Sequence, residues 1–215
     1  LLAIAFAFPL YWIITGSFKT QVSINATTPE WFPSEWVGTN YAKLFSRQKA
    51  PLWEFAVPFS SHFSADGKDV IWWAGPQVPA AIRWLVNTVF MAVASMILTC
   101  VTSAMAGYAL AKKRFIGRGV LFTLIVCAMA LPKQVILIPL LREMSSLQLY
   151  NTIWAVIFPI VGWPFGIFLM KQFSEGIPGE MLEAARIDGA SELTTFTRIA
   201  LPIIKPGIGA LAIFT

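Results

Sequence analysis

Charge is scarce in this chain. Only 13% of its 215 residues are Asp, Glu, Lys or Arg, where a soluble domain carries about a quarter. Apolar residues make up 57% and aromatic residues 14%, and the mean hydropathy is +0.68. One water-facing domain of this size cannot hide so much apolar surface, so the bilayer is the solvent that accommodates it. Cysteine is also rare. Cys100 and Cys127 both lie in apolar stretches, where small buried hydrophobes are expected and a disulfide is not. The single histidine, His62, has no Cys or His companions at ligand spacing, so neither a metal site nor a cofactor is expected. The chain has no glycine-rich loop ending in Gly-Lys-Ser or Gly-Lys-Thr, no nucleophile–base pair and no dinucleotide fingerprint. Catalysis by the chain itself, ATP hydrolysis included, is therefore not expected.

What is present reads as membrane spans. A spanning helix needs about 20 mostly apolar residues. Leu1–Ile14 is apolar throughout, although its length alone would also suit a signal-peptide core or a buried helix. Trp84–Ala111 carries no charge and is the clearest span. Val120–Leu141 follows, interrupted by Pro132, Lys133 and Gln134. Thr152–Met170 is next, with Pro159, Gly162, Pro164 and Gly166 inside it. A further span opens near Ile203 and runs to Thr215. The expected fold is an all-α polytopic membrane protein with about five spans. Both ends fall within apolar runs, so a fragment truncated at both ends is expected. Ser103, Ala104, Ala106 and Gly107 form a run of small residues that suits close helix packing.

The formal charge of +5 belongs to topology, not to nucleic acid. The dense basic run Lys112, Lys113, Arg114 and Arg118 contains no acid and sits between two apolar stretches, which marks it as cytoplasmic. Alternation then turns the loop 142–150 outward, residues 171–202 inward and the connection 16–83 outward. That outer connection holds six Lys or Arg against five acids. Its Pro29, Trp31, Pro33, Trp36, Trp53, Phe55, Trp72 and Trp73 suggest ordered structure, either a docking surface for an external partner or an interfacial belt.

The inward stretch is too long for a plain connector. Pro178 opens a helix, and Glu180 and Glu183 place negative charge in its first turns, where the helix dipole favours it. Gly189 interrupts it, as a helix-ending glycine does. Ser191 caps a second segment through Phe196 and Ile199, which Leu201 and Pro202 are expected to stop. The outcome is a helix–glycine–helix bracket at the cytoplasmic face. Its Ala184-Ala185 face would allow a partner to approach closely, and Glu183 offers a charge.

Glu183-Ala184-Ala185, Asp188-Gly189-Ala190, Phe196, Ile199, Leu201-Pro202 and Pro206 resemble the EAA loop of binding-protein-dependent ABC importer permeases. The flanks resemble the sugar-importer branch, the maltose-type second permease subunit. Those flanks are Ser17-Phe18-Lys19, Asn40-Tyr41, Asn87-Thr88, Tyr108-Ala109-Leu110-Ala111, Phe115, Pro132 with Gln134, Ile138-Pro139, Asn151-Thr152, Phe165-Gly166-Ile167-Phe168 and Gln172-Phe173. The resemblance covers nearly the whole chain except roughly residues 46–81, longer here than the family leads one to expect.

The resemblance implies an ABC importer type I transmembrane domain over 1–215 in a bacterial cytoplasmic membrane, with an extracytoplasmic loop 16–83 and a coupling loop 171–202. It implies a permease for a sugar or oligosaccharide. The implied partners are cytoplasmic ATP-binding subunits, a second and different permease subunit, an extracytoplasmic solute-binding protein and membrane lipid. Glu183, Ala184, Ala185, Asp188, Gly189 and Ala190 would form the ATPase-coupling contact, with Glu183 pairing with a base on the ATPase and Gly189 supplying the bend.

Lys133 is the one charge well inside a span. With Gln134 it would either face the cargo, at a break made by Pro132, or snorkel to the interface. Trp163 and Asn151 fit structural roles better than cargo contacts. The alternatives are a permease for a non-sugar solute and, in a different class, an ion-coupled secondary carrier, for which inverted repeats would be expected.

Overall fold

The computed structural model describes residues 2–46, 49–56 and 71–215; His62 lies outside them. Two compact units divide the chain, Leu1–Val86 and Asn87–Thr215.

In the first unit, α1 (Leu2–Ser17) is an uncharged helix with Pro9 inside it. Its 16 residues extend about 24 Å, short of the roughly 30 Å hydrocarbon layer. Just beyond it, Lys19 is 3% exposed. A buried ammonium is tolerated when it is satisfied. Here it donates to the Glu30 carbonyl and lies 4.3 Å over the Trp12 ring, a cation–π contact. Thr20 caps the one-turn helix α2 (Gln21–Ile24) by accepting from the Ser23 amide at 3.2 Å. Helix α3 (Thr39–Ser46) is tied back to the end of α1. The Asn40 amide donates to the Ser17 and Lys19 carbonyls at 3.1 and 3.0 Å, and Tyr41 donates to the Ser17 hydroxyl at 2.8 Å. Ser17-Phe18-Lys19 and Asn40-Tyr41, far apart in sequence, therefore form one contact.

The outer connection also contains two short strand pairs in a mostly helical chain. Strand β1 (Lys49–Pro51) pairs antiparallel with β4 (Gln77–Pro79), and β2 (Glu54–Ala56) with β3 (Ile71–Ala74). Backbone bonds from Leu52 to Pro76 at 3.0 Å and from Gly75 to Trp53 at 2.9 Å join the pairs into one ribbon. β-Branched and aromatic residues favour strand, and Pro51 and Pro79 sit at strand ends, where a missing donor is tolerated. Gly75 is required here, since a Cβ at that position would lie 2.8 Å from the Trp53 indole.

The second unit is a helical bundle. Helix α4 (Ala80–Lys112) has 33 residues and belongs to this unit from Asn87 onward. It is followed by α5 (Arg118–Met129), α6 (Lys133–Ser146), α7 (Trp154–Ile157) and α8 (Pro164–Glu175). The inner stretch comprises α9 (Gly179–Ile187), α10 (Glu192–Thr195), a π turn (Phe196–Ala200) and α11 (Leu201–Ile203), and α12 (Lys205–Phe214) closes the unit.

Among the described residues α4 alone is long and apolar enough to cross a membrane unbroken. Two bent pairs, α5 with α6 at 109° and Glu192–Ile203 with α12 at 73°, bring the number to three if each is one span. The other expected spans are interrupted at their punctuating residues. Val120–Leu141 divides before Pro132, and Thr152–Met170 divides around Gly162, at φ +82°, and Pro164, the first residue of α8. Cys127 faces outward, unlike buried Cys100, and both thiols are free.

Small residues set the packing. Thr99 donates to the Ile160 carbonyl at 3.3 Å. A Cβ on Gly166 would lie 2.7 Å from the Ser103 hydroxyl, and one on Gly107 would lie 2.6 Å from backbone atoms of Met170 and Lys171. Residue numbers rise together on the two sides, so α4 and α8 run parallel. Contacts across α8 run the other way. Gly207 meets Phe173, Leu211 meets Gly166, and the Phe214 ring lies 5.9 Å from Phe165, so α12 is antiparallel. The first turns of α5 join the same end of the bundle as the end of α8, with Phe122 stacked 6.2 Å from Phe168. Ser103 and Ala104 are buried at 0% and 1%, as the small-residue run predicted.

Replacing Gly107 by alanine drives a methyl into backbone that cannot swing aside, and overpacking of this kind costs about 1–3 kcal/mol. The thermal unfolding midpoint in detergent should fall. Gly176→Ala meets its nearest atom at 3.5 Å and should leave the midpoint unchanged or slightly raised.

Candidate functional site

The bracket starts from a helix end and a helix start joined at one glycine. Pro178 is the N-cap of α9, with Glu180 in its first turn and Arg186 in its last. Both charges complement the helix dipole. Gly189 takes φ +76°, the left-handed conformation that favours glycine. Around it the Gly189 amide donates to the Arg186 carbonyl at 3.1 Å and the Ala190 amide to the Ala185 carbonyl at 2.9 Å. These two bonds are the Schellman termination, which satisfies carbonyls that a helix end leaves open. Two residues on, the Ser191 hydroxyl accepts from the Thr194 amide at 3.2 Å and caps α10. The sequence pattern predicted both the glycine stop and the serine cap.

The stop expected at Leu201-Pro202 is displaced. The helical path continues through the π turn and α11, and the break falls at Ile204. In an unbroken α-helix, Pro202 would lack a donor and its ring would press on the carbonyl four residues back. A widened turn just before it changes that register and lets the proline stay inside the helical path.

The two faces of α9 differ. Leu182 and Ala185, three residues apart, are buried at 8% and 6%. Glu180, Glu183, Ala184 and Ile187 fall at the i, i+3, i+4 and i+7 positions of the opposite face and are exposed. Ala184-Ala185 is therefore not one face, because neighbours on a helix point about 100° apart. Ala184 looks out and Ala185 looks in. Ile187 is 86% exposed, and Leu193 on α10 is 69% exposed. Asp188 and Gly189 are exposed, and Ala190 is half-buried. The sequence analysis does not single out the exposure of Ile187 or Leu193, although the spacing of Ile187 from Glu183 places both on one face.

The bracket is fastened to α4. Lys112 donates to the Glu175 carbonyl at 3.1 Å and the Ile177 carbonyl at 2.7 Å. Lys113 pairs with Glu192 Oε2, while Arg186 lies 3.6 Å from Glu192 Oε1. The hydrogen bond from Lys113 holds the Glu192 carboxyl below its ordinary value against the opposing effect of burial, with the charges of Lys113 and Arg186 adding to it. The Tyr108 ring, 6% exposed, lies 5.2 Å from the Phe196 ring. The basic run is more than a topological signal: three of its members have specific partners, since Arg118 also donates to the Lys113 carbonyl at 3.2 Å.

The other candidates stand apart from the bracket. Lys133 is the first residue of α6, after the extended N-cap Pro132, and its side chain lies outside what is described. Gln134 is exposed. The break predicted at Pro132 is present. Trp163 is the N-cap of α8 and packs against the core, and Asn151 takes φ +61°. Both fit the structural roles expected of them. Among the described residues no group of three or more His, Cys, Asp or Glu could hold a metal.

A bundle of apolar, broken helices with a capped bracket exposed at one end is the fold of a polytopic helical membrane protein. The chain belongs to the family of binding-protein-dependent transport system inner membrane components, whose profile matches residues 100–215. The members of that family are transport components of the membrane, not enzymes.

The chain is 38% identical over 130 residues to the arabinooligosaccharides transport system permease protein AraQ of Halalkalibacterium halodurans, covering 60% of this chain and 47% of that protein. It is 36% identical over 131 residues to the osmoprotective compounds uptake permease protein GgtD of Synechocystis sp., covering 60% and 44%. The chain thus spans about half the length of the curated relatives it matches. In fold it is similar to a chain of a bacterial ABC transporter involved in the import of the acidic polysaccharide alginate. The TM-score is 0.67 at 21% identity, over 99% of this chain and 64% of that one.

Alanine at position 189 must adopt a left-handed backbone at a cost of about 1 kcal/mol or more, and Ser191→Ala removes a cap for about 1 kcal/mol. Either substitution should speed amide exchange at Gly189, Ala190 and Thr194 about five-fold or more, read by hydrogen–deuterium exchange. Amides in the middle of α4 should be unaffected.

Proposed function

We propose that this chain is part of a permease subunit of an ATP-driven importer and that its cargo is a sugar or oligosaccharide. The observation that carries the proposal is the outward face of α9. Glu183 and Ala184 lie beside Ile187, an apolar side chain left 86% exposed on the outward face of the helix. Such a patch, on an element otherwise fixed to the bundle, suits a protein partner. In this reading α9 enters a cleft on a cytoplasmic ATPase. Glu183 pairs with a base there, Ala184 permits close approach, and Ile187 with Leu193 fills apolar hollows. Gly189 and the half-buried Ala190 form the bend behind the contact, with Ala185 on its inner side and the exposed Asp188 at its edge.

The parallel course of α4 and α8 supports the sidedness. Both end at the bracket, where the basic run also lies, and that end is cytoplasmic by the distribution of Lys and Arg. A second permease subunit completes the route across the membrane, and a solute-binding protein delivers the cargo to the opposite side. The saccharide assignment is supported by the name of the arabinooligosaccharide relative, and the name of the osmoprotectant permease favours a non-sugar solute as the second reading. Gln134 and Lys133, beside the break at Pro132, are the proposed pathway residues. An ion-coupled carrier is the less favoured class, since a fixed and exposed docking bracket has no use there.

The test is ATP hydrolysis and solute uptake by the full importer in vesicles, with and without loaded binding protein. Glu183→Ala should lower stimulated hydrolysis about thirty-fold or more, from the low end of the cost of truncating one partner of a charge pair buried in an interface, while the membrane subunits stay assembled. Full stimulation with that variant would overturn the docking assignment. Uptake that persists without ATP and follows an ion gradient would overturn the importer reading.

A further inference from the structure

Three contacts join the inner stretch to the last turns of α4. Lys112 holds the carbonyls that end α8. Tyr108 packs against Phe196 of the π turn. Lys113 holds Glu192, the first residue of α10, and its amine also lies 5.5 Å over the Tyr108 ring. The Glu192 carboxylate has two arms, one oxygen toward Lys113 and the other toward Arg186 in the last turn of α9.

We propose that Glu192 and Lys113 are positioning residues that lock the angle between α9 and α4, so that movement of the docked bracket is delivered to α4 and not absorbed at Gly189. This rests on the importer reading above and adds to it the route by which the motion leaves the bracket. Gly189 is the reason a lock is needed. It joins α9 to α10 in a left-handed conformation with open space where a side chain would be, so the joint has no side-chain wall to stiffen it. Glu192 spans that joint, reaching back to Arg186 on one side and across to Lys113 on the other. Backbone bonds fix the bend locally, but the carboxylate is what refers the bend to α4.

The pair is suited to orientation more than to stability. Lys113 and Glu192 retain 29% and 63% of their side-chain exposure, and ion pairs so exposed contribute little to folding. Removing one therefore leaves the bundle intact, with Tyr108, Lys112 and the buried Leu182 still in place. What is lost is stiffness at the joint.

The experiment measures solute transported per ATP hydrolysed by the complete importer in vesicles, for wild type, Glu192→Gln, Lys113→Gln and the double variant. Each single change should lower the ratio about two- to five-fold, the range an exposed ion pair can supply, with ATPase subunits still bound and hydrolysis retained. The double variant should fall no further than either single one, since both remove the same link. A structural role would lower hydrolysis and uptake together and leave the ratio unchanged, which overturns the proposal. Effects that multiply in the double variant overturn it as well. If Glu183→Ala abolishes stimulation while the ratio ignores Glu192, the importer reading stands and this inference fails. If the wild type shows no ATP-driven uptake, both fail.

Discussion

The second unit depends on backbone meeting backbone. At Gly107 the main chain of α4 lies so close to Met170 and Lys171 that no side chain fits between. In a bilayer, apolar side chains gain nothing from leaving lipid for a neighbouring helix, so association rests on close van der Waals fit and interhelical hydrogen bonds. Glycine and serine make that approach achievable. One turn away the Ser103 hydroxyl occupies the space a Cβ on Gly166 would take, and the Phe173 ring does the same at Gly207 of α12. Once α4 and α8 are fixed in parallel, the positions of the basic run, the start of α5 and the inner stretch all follow. Lys171 is then tolerable at 8% exposure because Glu175 lies one turn on at 2.5 Å and the Phe122 ring lies 4.2 Å below its amine.

The same helices that pack closely are also interrupted, and the two properties are related. A proline or glycine within an apolar helix frees backbone groups that lipid cannot satisfy, so such breaks survive where neighbouring protein covers them. Gly162 and Pro164 break the stretch ahead of α8, Pro132 separates α5 from α6, and Pro202 is carried by a π turn. The angle is 109° between α5 and α6 and 73° at the break before α12. A transporter that alternates between outward and inward states needs joints of this kind between rigid pieces.

The residues whose role is local were legible in the sequence. Gly189 and Ser191 declare themselves because a helix stop and a helix start need particular backbone chemistry, whatever the surroundings. Pro132 marked its break for the same reason. The stop expected at Leu201-Pro202 failed because a neighbouring π turn absorbs the proline, and π turns have no compositional signature. The ribbon was missed because strands of three or four residues, separated by Trp and Pro, show no sustained alternation to read. Ala184 and Ala185 adjoin in sequence, yet a 100° step turns the first outward and the second inward. The partners of Lys112 and Lys113 lie more than sixty residues away in sequence, and one sequence has no means of announcing so distant a contact.

The distribution of polar contacts around the bracket has a mechanical sense. Its buried side is apolar and continuous with the core through Leu182, Ile177 and Ile204, so the base of the bracket cannot slide without opening a cavity in a closely packed interior. Its outer side carries Glu183, Ala184 and Ile187, free of the bundle and available to a partner. The exposed charges Lys113, Glu192 and Arg186 lie between these two regimes. Apolar packing resists translation but is indifferent to modest rotation, because it has no directional preference. Hydrogen-bonded ion pairs are weaker but directional. An element required to transmit a rotation therefore needs both kinds of contact, and at the end of α4 they meet within two turns, at Tyr108 and Lys113.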